Sequence, residues 1–451
     1  MRKYFGTDGI RRIANTELTP ELVYKVAKAG AYVLSKHSDH APTILIGRDT
    51  RISGTLIEAS MTAGFLSFGA NVISLGVMPT PAVAYLTRKL NADASVVISA
   101  SHNTFEFNGI KFFSNKGMKI PDEIEEEIEE IMDSDKLEEL TADSHKIGVQ
   151  ELKLEYMEKY VQFFKDTFLN DFKDKGYKVA IDTANGATYE VAERVFKELG
   201  IDATIIANNP DGININDGCG STHLDNISKY VKQHDFDLGI AYDGDGDRCL
   251  VVDEHGEVMD GDVIMAIISD YLKSKDLLSK DTIVATVMSN LGFRKYAEEN
   301  GFNFVTTKVG DRYVLENMLE NGYNLGGEQS GHVILLDYNP TGDGILTSIM
   351  LLKAMMVKGQ KASEYRKIIN IYPQVLINAK VSNEKKYDYE KDKEITTAIK
   401  KLEEDFSGNG RVLIRPSGTE PKVRVMIEGT DIDYITKRAQ ELADLIENKL
   451  K

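Results

Sequence analysis

The sequence predicts an α/β protein: three similar α/β modules with mixed, mostly parallel sheets plus a smaller C-terminal α+β domain around a central cleft. Three observations lead to this prediction. Strands and helices alternate three times before residue 370, the order changes in the tail, and four polar loops lie at corresponding places, one in each part of the chain. Alternating strands and helices are typical of parallel sheets. Four equivalent loops indicate the walls of one cleft.

The first module contains short apolar segments of the length expected for buried strands, with a helical stretch between the first two. A further strand follows and ends in a polar loop. These elements are predicted as a strand at 42–47, a helix at 56–69, and strands at 71–77 and 92–101.

A run of strand, helix and strand follows twice more along the chain. The helix of the first of these runs has apolar residues at helical spacing and ends at Gly200, a residue type that often terminates helices. The two runs lie at 177–182, 189–200 and 202–208, and at 282–288, 292–301 and 303–309. Three α/β units are therefore predicted.

The tail has a different pattern, which predicts a small α+β domain. Its strands are expected at 373–382, 411–416 and 422–429, and its final helix carries an apolar face formed by Ile435, Ala439, Leu442 and Ile446. The pattern restarts near residues 150, 253 and 370. The predicted domains are therefore 1–150, 151–253, 254–370 and 371–451.

An acidic run at 121–140 carries isoleucines at helical spacing. This spacing predicts a helix with a solvated acidic face, and no function is assigned to it.

Composition restricts the class of partner. The chain has 451 residues, a hydrophobic fraction of 42%, a charged fraction of 28% and a formal charge of -17. Because binding to nucleic acid or anionic membranes depends on clustered basic residues, neither partner is expected. An anionic ligand would need a local cationic pocket. Cys219 and Cys249 are the only cysteines, and the start has no apolar signal segment, so a reducing, cytoplasmic location is predicted.

Three aspartates at alternate positions, Asp243, Asp245 and Asp247, follow the apolar strand "DLGIAY", and Arg248 comes next. Ligand sites of open α/β sheets lie at the carboxyl ends of strands. Alternate carboxylates can converge on one cation, and hard oxygen ligands suit Mg²⁺. A magnesium site is therefore predicted.

Three other interpretations of this loop are an EF-hand, a phosphatase site and a solvated acidic turn. An EF-hand requires glycine at the sixth position, which Arg248 occupies, and no helix precedes the loop, so this interpretation is excluded. A phosphatase with Asp243 as nucleophile and a solvated acidic turn remain as alternatives.

Three further polar loops complete the predicted cleft. Ser101 and His102 follow a strand, although adjacent residues rarely form a nucleophile and base pair, and no GxSxG, HExxH or Walker-A pattern occurs. The third loop offers groups suited to sugar hydroxyls, Glu328, Ser330 and His332. The fourth can hold a phosphate through an arginine fork and a nest of hydroxyl and N–H groups: Arg415, Ser417, Gly418 and Thr419.

Nine short segments occur in an order that resembles the α-D-phosphohexomutase superfamily over nearly the whole chain. They are "FGTDGIR", "GRDTRISG", "ISASHN" with "NGIKFF", "DGININDGCGSTH", "YDGDGDR", "KVGDRYVLE", "GEQSGH" and "RPSGTEP". Members of this superfamily have four domains around a central cleft, the first three of like fold. The resemblance implies a phosphoserine domain, a metal-binding domain, a sugar-binding domain and a C-terminal phosphate-binding domain, in the order of the four ranges above.

The resemblance also implies a role for each candidate residue. Ser101 matches the serine that carries a phosphoryl group, and this phosphoserine, with Asp243, Asp245 and Asp247, is expected to bind Mg²⁺. The expected catalytic residues beside it are Arg11, His102, Lys111, a lysine that assists proton transfer, and Arg248. The expected substrate-binding residues are Glu328, Ser330, His332, Arg415, Ser417, Gly418 and Thr419.

Three residues depart from the usual pattern of the superfamily. Arg12 stands in place of glycine, Thr104 in place of proline, and Phe107 in place of a polar residue. The first two could change the stiffness of, or crowding in, loops near Ser101, and none removes a catalytic group.

The implied activity is phosphoryl transfer between C6 and C1 of a hexose phosphate. The serine donates its phosphoryl group to a free sugar hydroxyl, and the bisphosphorylated intermediate turns in the cleft and returns the other phosphate. Gln329, with the segments around 211–223 and 308–316, resembles the branch that acts on glucosamine phosphates. Partners are thus a hexosamine phosphate and a bisphosphorylated sugar activator, and a homodimer is possible. Alternatives are a glucose or mannose phosphate mutase, a metal-dependent phosphatase, and a non-catalytic sugar-phosphate sensor.

Overall fold

A computed structural model of the chain describes residues 3–6, 8–36, 39–172, 176–417 and 420–451. The chain divides into two compact units. The larger contains Met1–Met288 and Phe302–Ile368, and the smaller contains Ser289–Gly301 and Ile369–Lys451. None of the described helices has the combination of length and apolar character needed to cross a membrane.

The first sheet of the larger unit contains, among the described residues, six strands: β1 (Ile10–Ile13), β2 (Thr43–Arg48), β3 (Asn71–Val77), β4 (Ala94–Ile98), β5 (Phe107–Ser114) and β6 (Gln150–Leu152). Their order is β1-β5-β4-β2-β3-β6, and only the pairs that include β5 are antiparallel. The helices are α1 (Pro20–Ser35), α2 (Gly54–Phe68), α3 (Thr80–Lys89), α4 (Asp122–Met132) and α5 (Lys136–Glu139). Every residue of β4 is buried, as expected for a central strand, and the hydroxyl of its one polar residue, Ser95, accepts a hydrogen bond of 2.6 Å from Thr87.

Helix α4 forms within the acidic run as predicted, but its acidic face is not fully solvated. The Glu129 carboxylate accepts hydrogen bonds from the backbone N–H groups of Lys3, Tyr4 and Phe5 at 2.6–2.7 Å. Glu125 is also buried, and it accepts a bond of 3.1 Å from Arg312. Helical spacing identifies the apolar face of a helix, whereas these distant partners are brought to the other face only by folding.

The second sheet of this unit contains, in the described part of the chain, five strands: β7 (Val179–Asp182), β8 (Ala203–Ile206), β9 (Leu238–Tyr242), β10 (Cys249–Asp253) and β11 (Val258–Met259). Their order is β11-β10-β9-β7-β8. The helices are α6 (Met157–Phe168), α7 (Val191–Glu198) and α8 (Asp225–Gln233). β9 is parallel to β7 but antiparallel to β10, so the aspartate segment forms the loop of a hairpin.

The third sheet has the order β13-β12-β14-β15. Its strands are β12 (Thr282–Thr286), β13 (Asn303–Thr307), β14 (Leu325–Gly327) and β15 (Val333–Leu335). The helices of this part of the chain are α9 (Gly261–Ser274), α10 (Leu291–Glu299), α11 (Asp311–Asn321), α12 (Gly344–Met356) and α13 (Ala362–Arg366). Helix α10 belongs to the smaller unit, whereas the sheet belongs to the larger one.

The smaller unit contains an antiparallel sheet of order β16-β18-β17. Its elements are β16 (Gln374–Lys380), α14 (Lys393–Phe406), β17 (Gly410–Pro416), β18 (Lys422–Gly429) and α15 (Ile432–Leu450). The predicted apolar face of α15 is buried at all four positions, Ile435, Ala439, Leu442 and Ile446. The α/β modules with mixed, mostly parallel sheets and the C-terminal α+β domain are therefore confirmed. The domain limits near 150, 253 and 370 stay predictions.

Candidate active site

Ser101 lies in the loop that follows β4 and is almost completely buried. Its Oγ donates a hydrogen bond of 2.6 Å to Oδ2 of Asp243. Its φ angle is 50°, in the left-handed region. A left-handed backbone conformation costs a residue other than glycine roughly 1–3 kcal/mol of free energy. Contacts with the surrounding structure must therefore stabilise this conformation of Ser101.

The three aspartates occupy the loop between β9 and β10, and all three are buried. One carboxylate oxygen of each lies within 4.8 Å of the others. The tight turn requires Gly246, which has a φ of 74° and leaves no space for a Cβ beside Thr188. Burial, and then the charges of Asp247 and Asp245, raise the pKa of Asp243 well above its usual value.

A divalent cation fits this donor set. Oδ1 of Asp245 and Oδ1 of Asp247 are buried and have no hydrogen-bond partner among the described residues. Unpartnered buried carboxylate oxygens are costly, and three converging carboxylates are suited to Mg²⁺. The structure therefore supports a metal-binding triad.

Lys111, on β5, provides a buried positive charge beside these aspartates. Its Nζ lies 2.9 Å from Oδ2 of Asp245 and 3.6 Å from Oδ2 of Asp247. Burial alone would lower the pKa of Lys111, but the carboxylates of Asp245, Asp8 and Asp247 outweigh burial and raise it well above its usual value. The lysine is thus held as a cation, and it compensates part of the charge of the triad.

A chain of ion pairs extends from Lys111 to helix α11, and its other members, Asp8, Lys119 and Asp311, were not predicted as site residues. Asp8 lies 3.1 Å from Lys111 and 2.5 Å from Lys119, and Lys119 lies 2.6 Å from Asp311. Burial would raise the pKa of Asp8, but the cations of Lys111, Lys119 and Arg11 hold it well below its usual value. Asp8 and Asp311 occur within "FGTDGIR" and "KVGDRYVLE", so the segments themselves were the available signal.

Two predicted arginines lie near Ser101 and the triad. Arg11 donates from Nη1 to Oδ1 of Asn103 at 3.0 Å and pairs through Nη2 with Asp8. Arg248 donates its backbone N–H to Oδ1 of Asp243 at 3.1 Å, and its Nε is 4.0 Å from Oδ1 of Asp247. Both guanidinium groups therefore add positive charge at the edge of the carboxylate cluster.

His102 follows Ser101, the candidate phosphorylated serine, in the loop after β4. Its Nδ1 lies 3.4 Å from Oγ of Ser101. Burial, and then the charges of Arg248 and Arg11, lower the pKa of His102 to about 4. The ring is therefore neutral near pH 7, and it adds no positive charge there.

The loop between β14 and β15 carries the three residues predicted to bind sugar. Oε1 of Glu328 accepts a hydrogen bond of 3.1 Å from the N–H of Gly310, and Ser330 is half-buried in the same turn. His332 is buried, with Nε2 3.4 Å from Oδ2 of Asp311 and 4.0 Å from Oδ2 of Asp247. The loop predicted to bind sugar thus approaches the three aspartates at His332.

Gln329, in the same loop, binds residues at the start of helix α9. Its amide Nε2 donates to Oδ2 of Asp260 at 3.1 Å, and its carbonyl accepts from the N–H of Gly261. Asp260 is also the N-cap of α9, because its side chain accepts from the N–H of Val263. Gln329 therefore ties the loop to this helix.

The phosphate loop predicted in the tail belongs to the smaller unit. Arg415 lies on β17 opposite Arg424 of β18. Ser417 is buried, and its Oγ accepts a bond of 3.2 Å from the N–H of Glu420. Lys386, which was not predicted, donates from Nζ to the carbonyl of Ser417 at 3.0 Å. Two further predicted residues, Gly418 and Thr419, lie outside the described residues.

The three unusual residues have separate environments. Arg12 donates to the carbonyl of Lys3 at 3.0 Å, and its guanidinium lies 5.9 Å from the ring centre of Tyr4. Phe107 starts β5 and pairs with Ile13 of β1. Thr104 is exposed. Arg12 therefore contacts the segment anchored by α4.

Four consecutive parts of the chain match models of four domains from one protein family. They match phosphoglucomutase/phosphomannomutase alpha/beta/alpha domain I at residues 2–139, domain II at 155–256, domain III at 260–372 and the C-terminal domain at 376–445. A curated relative from Ruminiclostridium cellulolyticum, called phosphoglucosamine mutase, is 56% identical over 450 residues and all of both chains.

Solved structures share the fold at lower identity. A phosphoglucomutase/phosphomannomutase family protein from Burkholderia thailandensis has a TM-score of 0.79 and 22% identity, covering 98% of this chain and 97% of its own. The Aspergillus fumigatus N-acetylphosphoglucosamine mutase, in complex with GlcNAc-6P and magnesium, has a TM-score of 0.73 and 18% identity, covering 100% and 96%.

Proposed function

The chain belongs to the phosphoglucomutase/phosphomannomutase family, and on this premise we propose that it interconverts glucosamine 6-phosphate and glucosamine 1-phosphate. The observation that carries the proposal is the buried hydroxyl of Ser101, held 2.6 Å from Asp243 at the edge of three converging carboxylates. This arrangement suits a serine that carries a phosphoryl group beside a metal. The name of the relative from R. cellulolyticum supports glucosamine phosphate as the substrate.

The proposed reaction has two phosphoryl transfers. In the first, the bond between Ser101 Oγ and phosphorus breaks, a bond from phosphorus to the free C1 or C6 hydroxyl oxygen forms, and that hydroxyl loses a proton while Oγ gains one. In the second, the bond between the other phosphorus and its sugar oxygen breaks, a bond from that phosphorus to Oγ forms, and Oγ loses its proton while the released sugar oxygen gains one. Phosphoryl transfer depends chiefly on positioning and charge stabilisation.

The residues around Ser101 fit these requirements. A magnesium ion held by Asp243, Asp245 and Asp247 would withdraw charge from the phosphoryl oxygens. Lys111 and Arg248 place positive charge beside the same carboxylates. Glu328 and Ser330 are proposed to bind sugar hydroxyls, with His332 between them and the triad.

The loop of the smaller unit is proposed to hold the phosphate that does not react. Arg415→Lys should lower kcat/KM by about tenfold to a hundredfold, because lysine lacks the bidentate fork and charged hydrogen bonds contribute roughly 1.5–3 kcal/mol. Arg438→Lys is the matched control and should keep the original kinetics, because Arg438 lies partly exposed on α15 and pairs with Glu441. Equal kinetics for both variants would refute the role of Arg415.

Substrate preference gives a second test. We expect kcat/KM to be higher for glucosamine 6-phosphate than for glucose or mannose 6-phosphate, with glucose activity within about a hundredfold, because a pocket that tolerates a hydroxyl discriminates weakly. The measurement compares the three substrates with a trace of bisphosphorylated activator. A higher kcat/KM for glucose or mannose 6-phosphate would make the chain a hexose phosphate mutase and leave the transfer mechanism in place.

A metal-dependent phosphatase is the second candidate, since Asp243 also follows a buried strand. In the structure both oxygens of this carboxylate accept hydrogen bonds, Oδ2 from Ser101 and Oδ1 from the N–H of Arg248. That arrangement favours Asp243 as a ligand over Asp243 as a nucleophile. The third candidate, a non-catalytic sensor, would not require the serine and the triad together.

Several expectations about partners stay predictions. These are the bisphosphorylated activator, the possible homodimer, the lack of nucleic-acid and membrane partners, and the cytoplasmic location.

A further inference from the structure

The left-handed conformation of Ser101 is held by two side chains that have no assigned role. The carbonyl of Ser101 accepts hydrogen bonds from Nη2 of Arg51 at 3.2 Å and from Nδ2 of Asn216 at 2.9 Å. The same two nitrogens also donate to the carbonyl of Asn103, at 2.5 Å and 2.9 Å. Two donors therefore bind two carbonyls, and the segment 101–103 is fixed at both of its ends.

Each donor is itself fixed by its surroundings. The side chain of Arg51 is fully buried and pairs with Asp49, which also accepts from the hydroxyl of Ser99. Ser99 Oγ in turn accepts a bond of 2.9 Å from the N–H of Ser101. Asn216 is buried, and its own N–H donates to the carbonyl of Ala184 at 2.9 Å.

The two donors come from different sheets of the larger unit. Arg51 follows β2 of the first sheet, and Asn216 lies between β8 and α8 of the second, whose hairpin carries Asp243. The hairpin also packs on the same carbonyl, because a Cβ at Gly244 would lie 2.5 Å from the Ser101 oxygen. The contacts thus join the serine loop to the metal loop.

We infer that Arg51 and Asn216 are positioning residues that hold Ser101 in its left-handed conformation and thereby direct Oγ toward Asp243. This inference rests on the proposed function, in which Oγ carries the phosphoryl group. Loss of either donor would let the 101–103 segment relax. The hydroxyl would then leave the geometry that in-line transfer requires, and Arg11, which binds Oδ1 of Asn103, would shift with it.

Asn216→Gly is the most direct variant, because Asn216 has a φ of 58° and glycine accepts this conformation without strain. The matched control is Asn91→Gly, an exposed residue with a φ of 52°. Asn216→Asp is a second variant of nearly the same shape, in which a carboxylate oxygen faces the two carbonyls and cannot donate. It serves the same measurements if the glycine variant does not fold.

The full chain is loaded with a bisphosphorylated hexose and compared by mutase kinetics, thermal unfolding and ³¹P NMR of the phosphoserine. Because a misplacement of about 1 Å can cost about a hundredfold, both Asn216 variants should lose roughly tenfold to a hundredfold in kcat. Their KM should stay within about threefold, since ground-state binding is untouched. We also expect the phosphoserine resonance to move, and Asn91→Gly to match the original protein throughout.

Three results would overturn the inference. The first is a kcat for both Asn216 variants equal to that of Asn91→Gly. The second is a loss of kcat with an unmoved phosphoserine resonance, which would indicate a merely structural effect. The third is phosphopeptide mapping of the original protein that places the phosphate on a residue other than Ser101. That last result would also remove the phosphoserine from the proposed function, whereas the first two would leave it intact.

Discussion

Ser101→Ala is expected to abolish mutase activity, with a fall in kcat of about 10³-fold or more, because the residue proposed to carry the transferred group is lost. The Oγ of this side chain donates a hydrogen bond of 2.6 Å to Asp243. Alanine leaves the loop and its backbone contacts in place. The fold should therefore be retained, and circular dichroism and thermal unfolding should be close to those of the original protein.

The control for this substitution is Ser134→Ala, on an exposed turn after α4. It should keep full activity. Phosphopeptide mapping of the protein after exposure to a bisphosphorylated sugar should locate one phosphate, on Ser101. Undiminished mutase activity in Ser101→Ala, or an acyl-phosphate on Asp243, would refute the assignment, and the second result would favour the phosphatase interpretation.

Removal of one carboxylate from the metal triad is expected to have the next largest effect. Asp245→Asn should lower kcat by about 10²-fold or more, because a bound cation contributes several kcal/mol of charge stabilisation and each 1.36 kcal/mol is tenfold in rate. Asp245 also accepts hydrogen bonds from Lys111 and Thr80 at 2.9 Å and 2.7 Å. The amide can keep only part of this network.

Metal binding itself can be measured without turnover. Calorimetric titration with Mg²⁺ or Mn²⁺ should show one site in the original protein and a greatly weakened one in Asp245→Asn. Asp270→Asn, on the exposed side of α9, should bind metal normally. Full activity after exhaustive chelation with no metal added would contradict the magnesium proposal.

The local elements were predictable because their signals are local. β2 (Thr43–Arg48) and β3 (Asn71–Val77) coincide within one or two residues with apolar runs, and α15 buries the predicted face. Burial of an apolar stripe is the main stabilising term of such elements, so spacing alone identifies them. The aspartate loop was also visible, since three carboxylates at alternate positions after a buried strand need a cation.

Contacts between polar or charged residues that are distant in sequence were not predictable in the same way. Lys119 and Asp311 are 192 residues apart in sequence and 2.6 Å apart in space. Asn216 lies 115 residues from the carbonyl that it binds. No periodicity links such pairs, because their contact depends on how the sheets pack together.

By itself, the sequence determined the α/β modules, the C-terminal α+β domain and the residue types available to the site, because hydrophobic spacing and carboxylate repulsion act over a few residues. The tertiary structure alone decided three further features. It placed Lys111 among the aspartates, joined Asp8 to Asp311 through Lys119, and supplied Arg51 and Asn216 to hold Ser101. The reason is physical: a buried charge or a strained backbone is tolerated only where distant groups compensate it, and folding brings those groups together.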